Sequence, residues 1–369
     1  MRNPSLDVLR AVAILLVFCY HSEGALLVSR FGWVGVDLFF VLSGFLVSGL
    51  LFREYQATQQ VRPGRFLLRR GLKIYPQFYF FIAATLAVAW FQGNPPRLGQ
   101  AAAELAFVQN YATGMWSHTW SLGVEEHFYL LLTLVITILA RRGGADPFYT
   151  LARWIAISCF VILGLRIVTW LLHPRITDYL NVFPSHLRID SLLAGVLIAY
   201  YHTFHGADLA RWMRRAGGWA PPASILLLSP ITFLTREHPF MVTIGFSLVS
   251  WGFVLLLLSV LYPVKRAPVP SRTGRAMARL GQVSYAFYLW HAPVLVGADA
   301  LKPYEHVHGV AVPVVVSLLL TLGVCLMMAF LTTWLIEIPV LRLRDRRVPA
   351  NVHVLRRETV APELVTQTS

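Results

Sequence analysis

Arg10 and His21 stand eleven residues apart inside a mainly apolar run, 6–25. Eleven residues is close to three turns at about 3.6 residues per turn, so a helix would project both from one face, roughly 16 Å apart along its axis. Imidazole titrates near neutrality and can take the proton of a hydroxyl whose own pKa is far higher. A guanidinium can hold a phosphate or the negative charge that develops on an oxygen. A plainer reading also stands: Arg10 snorkels to a membrane surface and His21 is bonded in a core.

Other polar residues interrupt apolar runs in the same way, and ionisable groups there are expensive and need a reason. Asp37 is the one acid in Gly32–Gly44. Its natural partners are Arg10 or His21 on the preceding helix, and the plainer alternative is a packing motif with a buried ion pair. In Trp120-Ser121-Leu122-Gly123-Val124-Glu125-Glu126-His127, Glu125 with Trp120 and Ser121 within about a turn is the better site candidate, and Glu126 and His127 are expected at an interface. Arg188 and Asp190 are two apart, so they do not share a helical face and should pair with other helices. Arg166 is a further buried cation. Ser284, Tyr285 and His291 lie in one run, His291 being either a core histidine or part of a second proton site. Arg69, Arg70 and Lys73 form a cationic cluster that could grip the phosphates of coenzyme A or simply mark a cytoplasmic loop.

These residues need helices to carry them. The chain has 369 residues, 56% hydrophobic and only 14% charged, against roughly 25% charged in soluble domains. A span needs on the order of 20 apolar residues. The runs 6–25, 34–52, 74–91, 122–140, 154–172, 183–201, 219–234, 240–261, 280–300 and 311–341 predict an all-α integral membrane protein of about ten transmembrane helices. With the N-terminus inside, 24 of the 32 Lys and Arg fall in cytoplasmic loops or ends, 5 outside and 3 within spans. That bias puts both termini in the cytoplasm. It also absorbs most of the net charge of +14, leaving no reason to invoke nucleic acid. Arg2 and the run after it resemble a signal peptide, but Ser22–Ala25 is a poor cleavage site, so the first span is expected to stay. Cys19, Cys159 and Cys325 lie in apolar runs with neither a disulfide pattern nor metal-ligand spacing, and no metal is expected. Residues 1–345 read as one membrane domain and 346–369 as a disordered cytoplasmic tail.

Taken in order, these motifs resemble the membrane acyltransferase-3 family of bacterial O-acyltransferases. The resemblance covers nearly the whole chain. It rests on Arg10 with His21, the Gly35-Val36-Asp37-Leu38-Phe39-Phe40-Val41-Leu42-Ser43-Gly44 stretch and the basic stretch ending at Pro76. Trp120-Ser121-Leu122 with Glu125-Glu126, Ser284-Tyr285 leading to Trp290-His291, and Glu337 with Pro339 complete it. It implies an acyl-CoA donor, usually acetyl-CoA, and a carbohydrate, glycolipid or macrolide-like acceptor at a bacterial cytoplasmic membrane, with no permanently bound cofactor. Where the family often has Arg-x-x-Arg, this chain has Arg70 and Lys73, which keeps the charge but loses one bidentate fork. Some members carry an appended extracytoplasmic domain; none is expected here.

The mechanism expected from this resemblance is direct transfer. His21 would act as general base on the acceptor hydroxyl, and Asp37 or Glu125 would fix its tautomer. Arg10 would hold a donor phosphate or the thioester oxygen, and Arg69, Arg70 and Lys73 would anchor the nucleotide. Trp120, Ser121, Arg188, Asp190, Ser284, Tyr285 and His291 would contact the acceptor or support the site. An acyl-histidine intermediate is the alternative. Two rivals come from other classes: a proton-coupled flippase of a lipid-linked glycan, since intramembrane Arg, His, Asp and Glu suit a proton path equally well, and a receptor or scaffold with no turnover.

Overall fold

The computed structural model describes residues 3–22, 27–263, 271–307 and 314–349, without the side chains of 27, 217, 300–307 and 314–315. Among the described residues it is all helical, with no strand. In chain order the helices are α1 Pro4–His21, α2 Gly35–Thr58, α3 Pro63–Phe91, α4 Leu98–Leu105, α5 Trp120–Ala140 and α6 Leu151–Leu172. They continue with α7 Ile189–Phe204, α8 Gly206–Arg215, α9 Ala220–Leu228, α10 Pro230–Phe233 and α11 Phe246–Leu261. The last four are α12 Arg272–Gln282, α13 Ser284–Val307, α14 Val314–Thr332 and α15 Ile338–Arg347. Seven helical stretches are long and apolar enough to cross a membrane, and α7 and the α9–α10 stretch are shorter apolar helices.

Local chemistry explains several boundaries. Asn3 caps α1 by accepting the Ser5 N–H at 3.0 Å, with Pro4 in the first turn, where its missing N–H costs nothing. Pro63 does the same for α3, which begins eleven residues before the predicted start at 74. The basic residues therefore sit on a helix rather than in a loop. The long apolar run at the C-terminal end continues past Pro339: a π-helical turn at Thr333–Glu337 joins α14 to α15, whose first turn accommodates the proline. Of the expected tail, 350–369 lie outside the described residues.

The packing is that of a protein whose solvent is lipid. Phe160, Leu172, Leu319 and Leu320 are exposed, while Asp37, Arg166, Arg188, Asp190 and His291 are buried. Polar groups go inside because hydrocarbon cannot satisfy them. α2 is central and packs most extensively on α7. Gly44 and Gly195 make that contact possible: a Cβ on Gly44 would overlap the Leu192 carbonyl oxygen, and one on Gly195 the Val41 carbonyl oxygen. α1 packs along α2, α12 and α13, so it is an integral part of the bundle.

Two buried ion pairs tie the helices together. Arg166 on α6 pairs with Asp190 on α7 and also donates to the Leu187 carbonyl at 2.8 Å and Ser247 Oγ at 3.0 Å. Arg188 pairs with Asp37 at 2.6 Å. As expected, Arg188 and Asp190 serve different partners.

α3 also outruns α5. The Tyr75 hydroxyl donates to Glu126 at 3.0 Å, six residues into α5 but sixteen before the end of α3. At 1.5 Å per residue α3 projects about 15 Å beyond the start of α5, and residues 92–119, including α4, run back beside it.

Candidate active site

His21 is the last residue of α1, and its Nδ1 lies 2.9 Å from the carbonyl oxygen of Val17 one turn earlier. A carbonyl only accepts, so Nδ1 carries the proton and Nε2 keeps a lone pair. The expected tautomer-fixing acids, Asp37 and Glu125, play no part in this contact. His291 is set the same way, with Nδ1 2.6 Å from the Tyr288 carbonyl, so its Nε2 is an acceptor. That atom lies 3.4 Å from Nδ1 of His21. His291 is thus a buried partner of His21. A third ring, His118, has its centroid 5.0 Å from that of His291. Tyr288 donates its hydroxyl to the His118 carbonyl and accepts from Ser121 Oγ at 2.7 Å. His118 is absent from the residues that the sequence points to, although it stands two residues before Trp120 at the head of one of the motifs. Among the described residues no group of three or more His, Cys, Asp or Glu is arranged to hold a metal ion.

Asp37 pairs with Arg188, not with Arg10 or His21. The reason is the close α2–α7 approach, which brings the first turn of α2 against the residue that opens α7. The Arg188 guanidinium lies over the Phe246 ring at 3.8 Å and near Trp120 at 5.5 Å, and Trp120 stacks on Phe183 with centroids 4.8 Å apart.

The basic cluster divides. Arg69 turns to α15, where it donates to Asp345 at 3.0 Å and to the Val348 carbonyl. Arg70 and Lys73, three apart and on one face, both line a cavity of about 700 Å³ including its open mouth. Arg10, Ser43, Ser121, Glu125, Ser284 and Tyr285 line it too. Arg70 donates to the Tyr129 hydroxyl and lies 3.8 Å from Glu125, and Tyr129 in turn donates to Glu125 at 2.6 Å. Glu126 is 8% exposed and bonded to Tyr75, so it is buried and not interfacial as expected. Tyr285 donates to the Ile74 carbonyl at 3.1 Å.

A second cavity is lined by His21, Trp33, His118, Trp120, Arg188 and Arg236, among others. Arg236 is held by Asp178 at 2.6 Å and Glu237 at 3.1 Å; against the cost of burial, Tyr20 and these two carboxylates raise its pKa. Val36 and Tyr288 border both cavities, so the two are neighbours inside the bundle. One offers cations beside apolar walls; the other offers an imidazole with a free lone pair. Arg10 and His21 share a helix but line different cavities. Asp190 lines neither and serves Arg166.

The family model described as an acyltransferase domain, that of acyltransferase family 3, matches residues 3–334. The chain is similar to "O-acetyltransferase OatA" of Staphylococcus aureus, 28% identical over 319 residues, covering 79% of this chain and 50% of the relative. It is similar also to "Peptidoglycan O-acetyltransferase OatA" of Listeria monocytogenes, 26% identical over 318 residues, covering 79% of this chain and 49% of that protein. The chain spans about half the length of these curated relatives. No solved structure matches.

Proposed function

The chain belongs to the acyltransferase-3 family, and from that premise we propose that it is a multi-pass cell-membrane O-acetyltransferase. It moves an acetyl group from acetyl-CoA to a hydroxyl of a cell-surface carbohydrate. The observation that carries this reading is that the two cavities are neighbours, with Val36 and Tyr288 in the walls of both. The cationic cavity, with Arg70 and Lys73, takes the donor, and the thioester reaches toward Val36 and Tyr288, which the second cavity shares. His21 Nε2 in the second cavity takes the proton of the acceptor hydroxyl as the oxygen attacks the carbonyl carbon. His291, through its Nε2 beside the His21 Nδ1–H, steadies the imidazolium that forms. The names of the similar proteins make peptidoglycan the first acceptor to test.

The proposed topology keeps ten spans: the seven long apolar stretches, the two shorter ones, and α13. Both termini are cytoplasmic, which puts the Arg70 end of the first cavity toward the soluble donor. Residues 1–345 form one membrane domain with 346–369 as its tail.

The test is release of coenzyme A thiol by the full chain in lipid nanodiscs given acetyl-CoA and a muropeptide acceptor, with acetylated product read by mass spectrometry. Acceptor-dependent thiol release supports an enzyme. Acceptor movement across vesicles with no thiol released would make the chain a flippase instead.

A further inference from the structure

We infer that Arg188 and Trp33 form the oxyanion site of the transfer, the place where the thioester oxygen carries its negative charge; this rests on the proposed acetyltransferase reading. Arg188 is 1% exposed, yet Asp37 engages only its Nη2, at 2.6 Å. Its Nε and Nη1 have no hydrogen-bond partner, and neither does the buried Trp33 indole Nε1. Both side chains line the second cavity with His21, and both pack on Phe246, Trp33 edge-on with centroids 5.7 Å apart.

Buried donors are nearly always paired, and this chain shows how it pairs an arginine used only for structure. Arg166 has its Nε and Nη1 taken by Leu187, Thr243 and Ser247. Arg236, which also borders the second cavity, is held by two carboxylates. Arg188 is instead fixed by Asp37 and by aromatic faces, leaving unpartnered donors on side chains that line the same cavity as His21. Donors set in advance, in a dry site, toward an oxygen that becomes charged are what acyl transfer requires. Arg10, given this role as one option from the sequence, lines only the other cavity.

In the transfer step the acceptor oxygen bonds to the acyl carbon while its proton passes to His21 Nε2. The carbonyl π pair moves onto oxygen, where the Arg188 and Trp33 N–H groups receive it. That pair then re-forms the C=O bond, the C–S bond breaks, and the thiolate takes the proton from the His21 imidazolium.

The test uses the full chain in nanodiscs. Trp33→Phe keeps a ring against Phe246 and removes only the N–H; Arg188→Lys keeps a charge for Asp37. Loss of one oxyanion donor costs about a hundredfold in turnover. Trp33→Phe is expected to lower kcat about ten- to hundredfold, and Arg188→Lys by a hundredfold or more, with KM for acetyl-CoA within about twofold. The independent readout is binding of a methylphosphonate thioester of coenzyme A, whose tetrahedral P–O⁻ copies the intermediate. Its affinity should fall by the same factor as kcat, while coenzyme A itself binds as before. Wild-type kcat and phosphonate affinity in Trp33→Phe overturn the oxyanion site but leave the acetyltransferase reading standing if His21→Ala is inactive. No acceptor-dependent thiol release by the wild-type protein overturns the wider reading, and the oxyanion site with it.

Discussion

His291 Nε2 lies 3.4 Å from His21 Nδ1, and each ring directs its own Nδ1 at a backbone carbonyl, that of Tyr288 and that of Val17. The pair therefore sets one tautomer throughout: Nδ1 protonated on each ring, Nε2 bare. His21→Ala is expected to lower turnover by about two to four orders of magnitude, the usual weight of a general base, with acetyl-CoA still bound and the protein still folded in the membrane. Thiol release against donor binding measures both. Wild-type turnover in a folded His21→Ala protein would remove His21 as the base.

Arg69 and Arg70, neighbours in sequence, should behave differently. Arg70 lines the first cavity; Arg69 is committed to Asp345. Loss of a charge-assisted hydrogen bond costs about 1.5–3 kcal/mol, or roughly ten- to hundredfold in affinity. Arg70→Gln is expected to weaken acetyl-CoA by that factor, and Arg69→Gln to change it less than threefold. Titration calorimetry on the two variants checks this, and equal losses would restore the three-cation clamp.

Much of this is legible in the sequence because intramembrane charge is conspicuous: Arg10, His21, Asp37, Glu125, Arg188 and His291 all interrupt apolar runs, and each lines a cavity or touches a residue that does. Asp37 reaches the second cavity through Arg188. Pairing is what a single sequence does not carry. Proximity along the chain matches Asp37 to α1, whereas the Gly44–Gly195 contact brings α7 closer. The division of Arg69 from Arg70 depends on α15 crossing α3, a contact 276 residues away in sequence. His118 carries no signal of its own, being one polar residue in a polar turn.

Gly44 and Gly195 carry the central helix contact, so Gly44→Val or Gly195→Val should force α2 and α7 apart. Overpacking of this kind costs typically about 1–3 kcal/mol, and here the obstacle is backbone that cannot swing aside. The expected result is a lower thermal unfolding midpoint in detergent for either variant, with Gly164→Val, where a Cβ meets nothing within 4 Å, as the unaffected control. An unchanged midpoint in Gly44→Val would mean the helices are further apart than described.

The charge bias of 24 to 5 predicts that residues near 3 and 349 are labelled by a membrane-impermeant maleimide only after the cytoplasmic face is opened. Introduced cysteines at Asn3 and Pro349 test it in cells. Labelling of either end in intact cells would require an odd number of spans or an inverted bundle.

Glu104 gives the segment between α3 and α5 a pH dependence. It is 0% exposed, and burial raises its pKa to about 7 from 4.5 despite the hydrogen bonds it accepts. Those bonds come from the Trp116 N–H at 3.0 Å, Thr119 Oγ at 2.9 Å and the Met115 N–H. Thr119 Oγ also lies 2.6 Å from the Trp116 carbonyl, and its one hydrogen cannot serve both. A protonated Glu104 resolves this by donating to the Thr119 oxygen while Thr119 donates to Trp116. The folded pKa lies above the unfolded one, so the stabilisation is fully present below about pH 4.5 and is lost as the pH rises through about 7. Each tenfold difference in proton affinity between the two states is worth about 1.4 kcal/mol. Hydrogen exchange of residues 98–119 should therefore speed up between about pH 5 and 8 beyond its intrinsic dependence, by at most a few kcal/mol of protection. Glu104→Gln keeps an acceptor for Trp116 without a charge, and its corrected exchange should be flat over the same range. A wild-type profile as flat as that of Glu104→Gln would show that Glu104 ionises at its ordinary value.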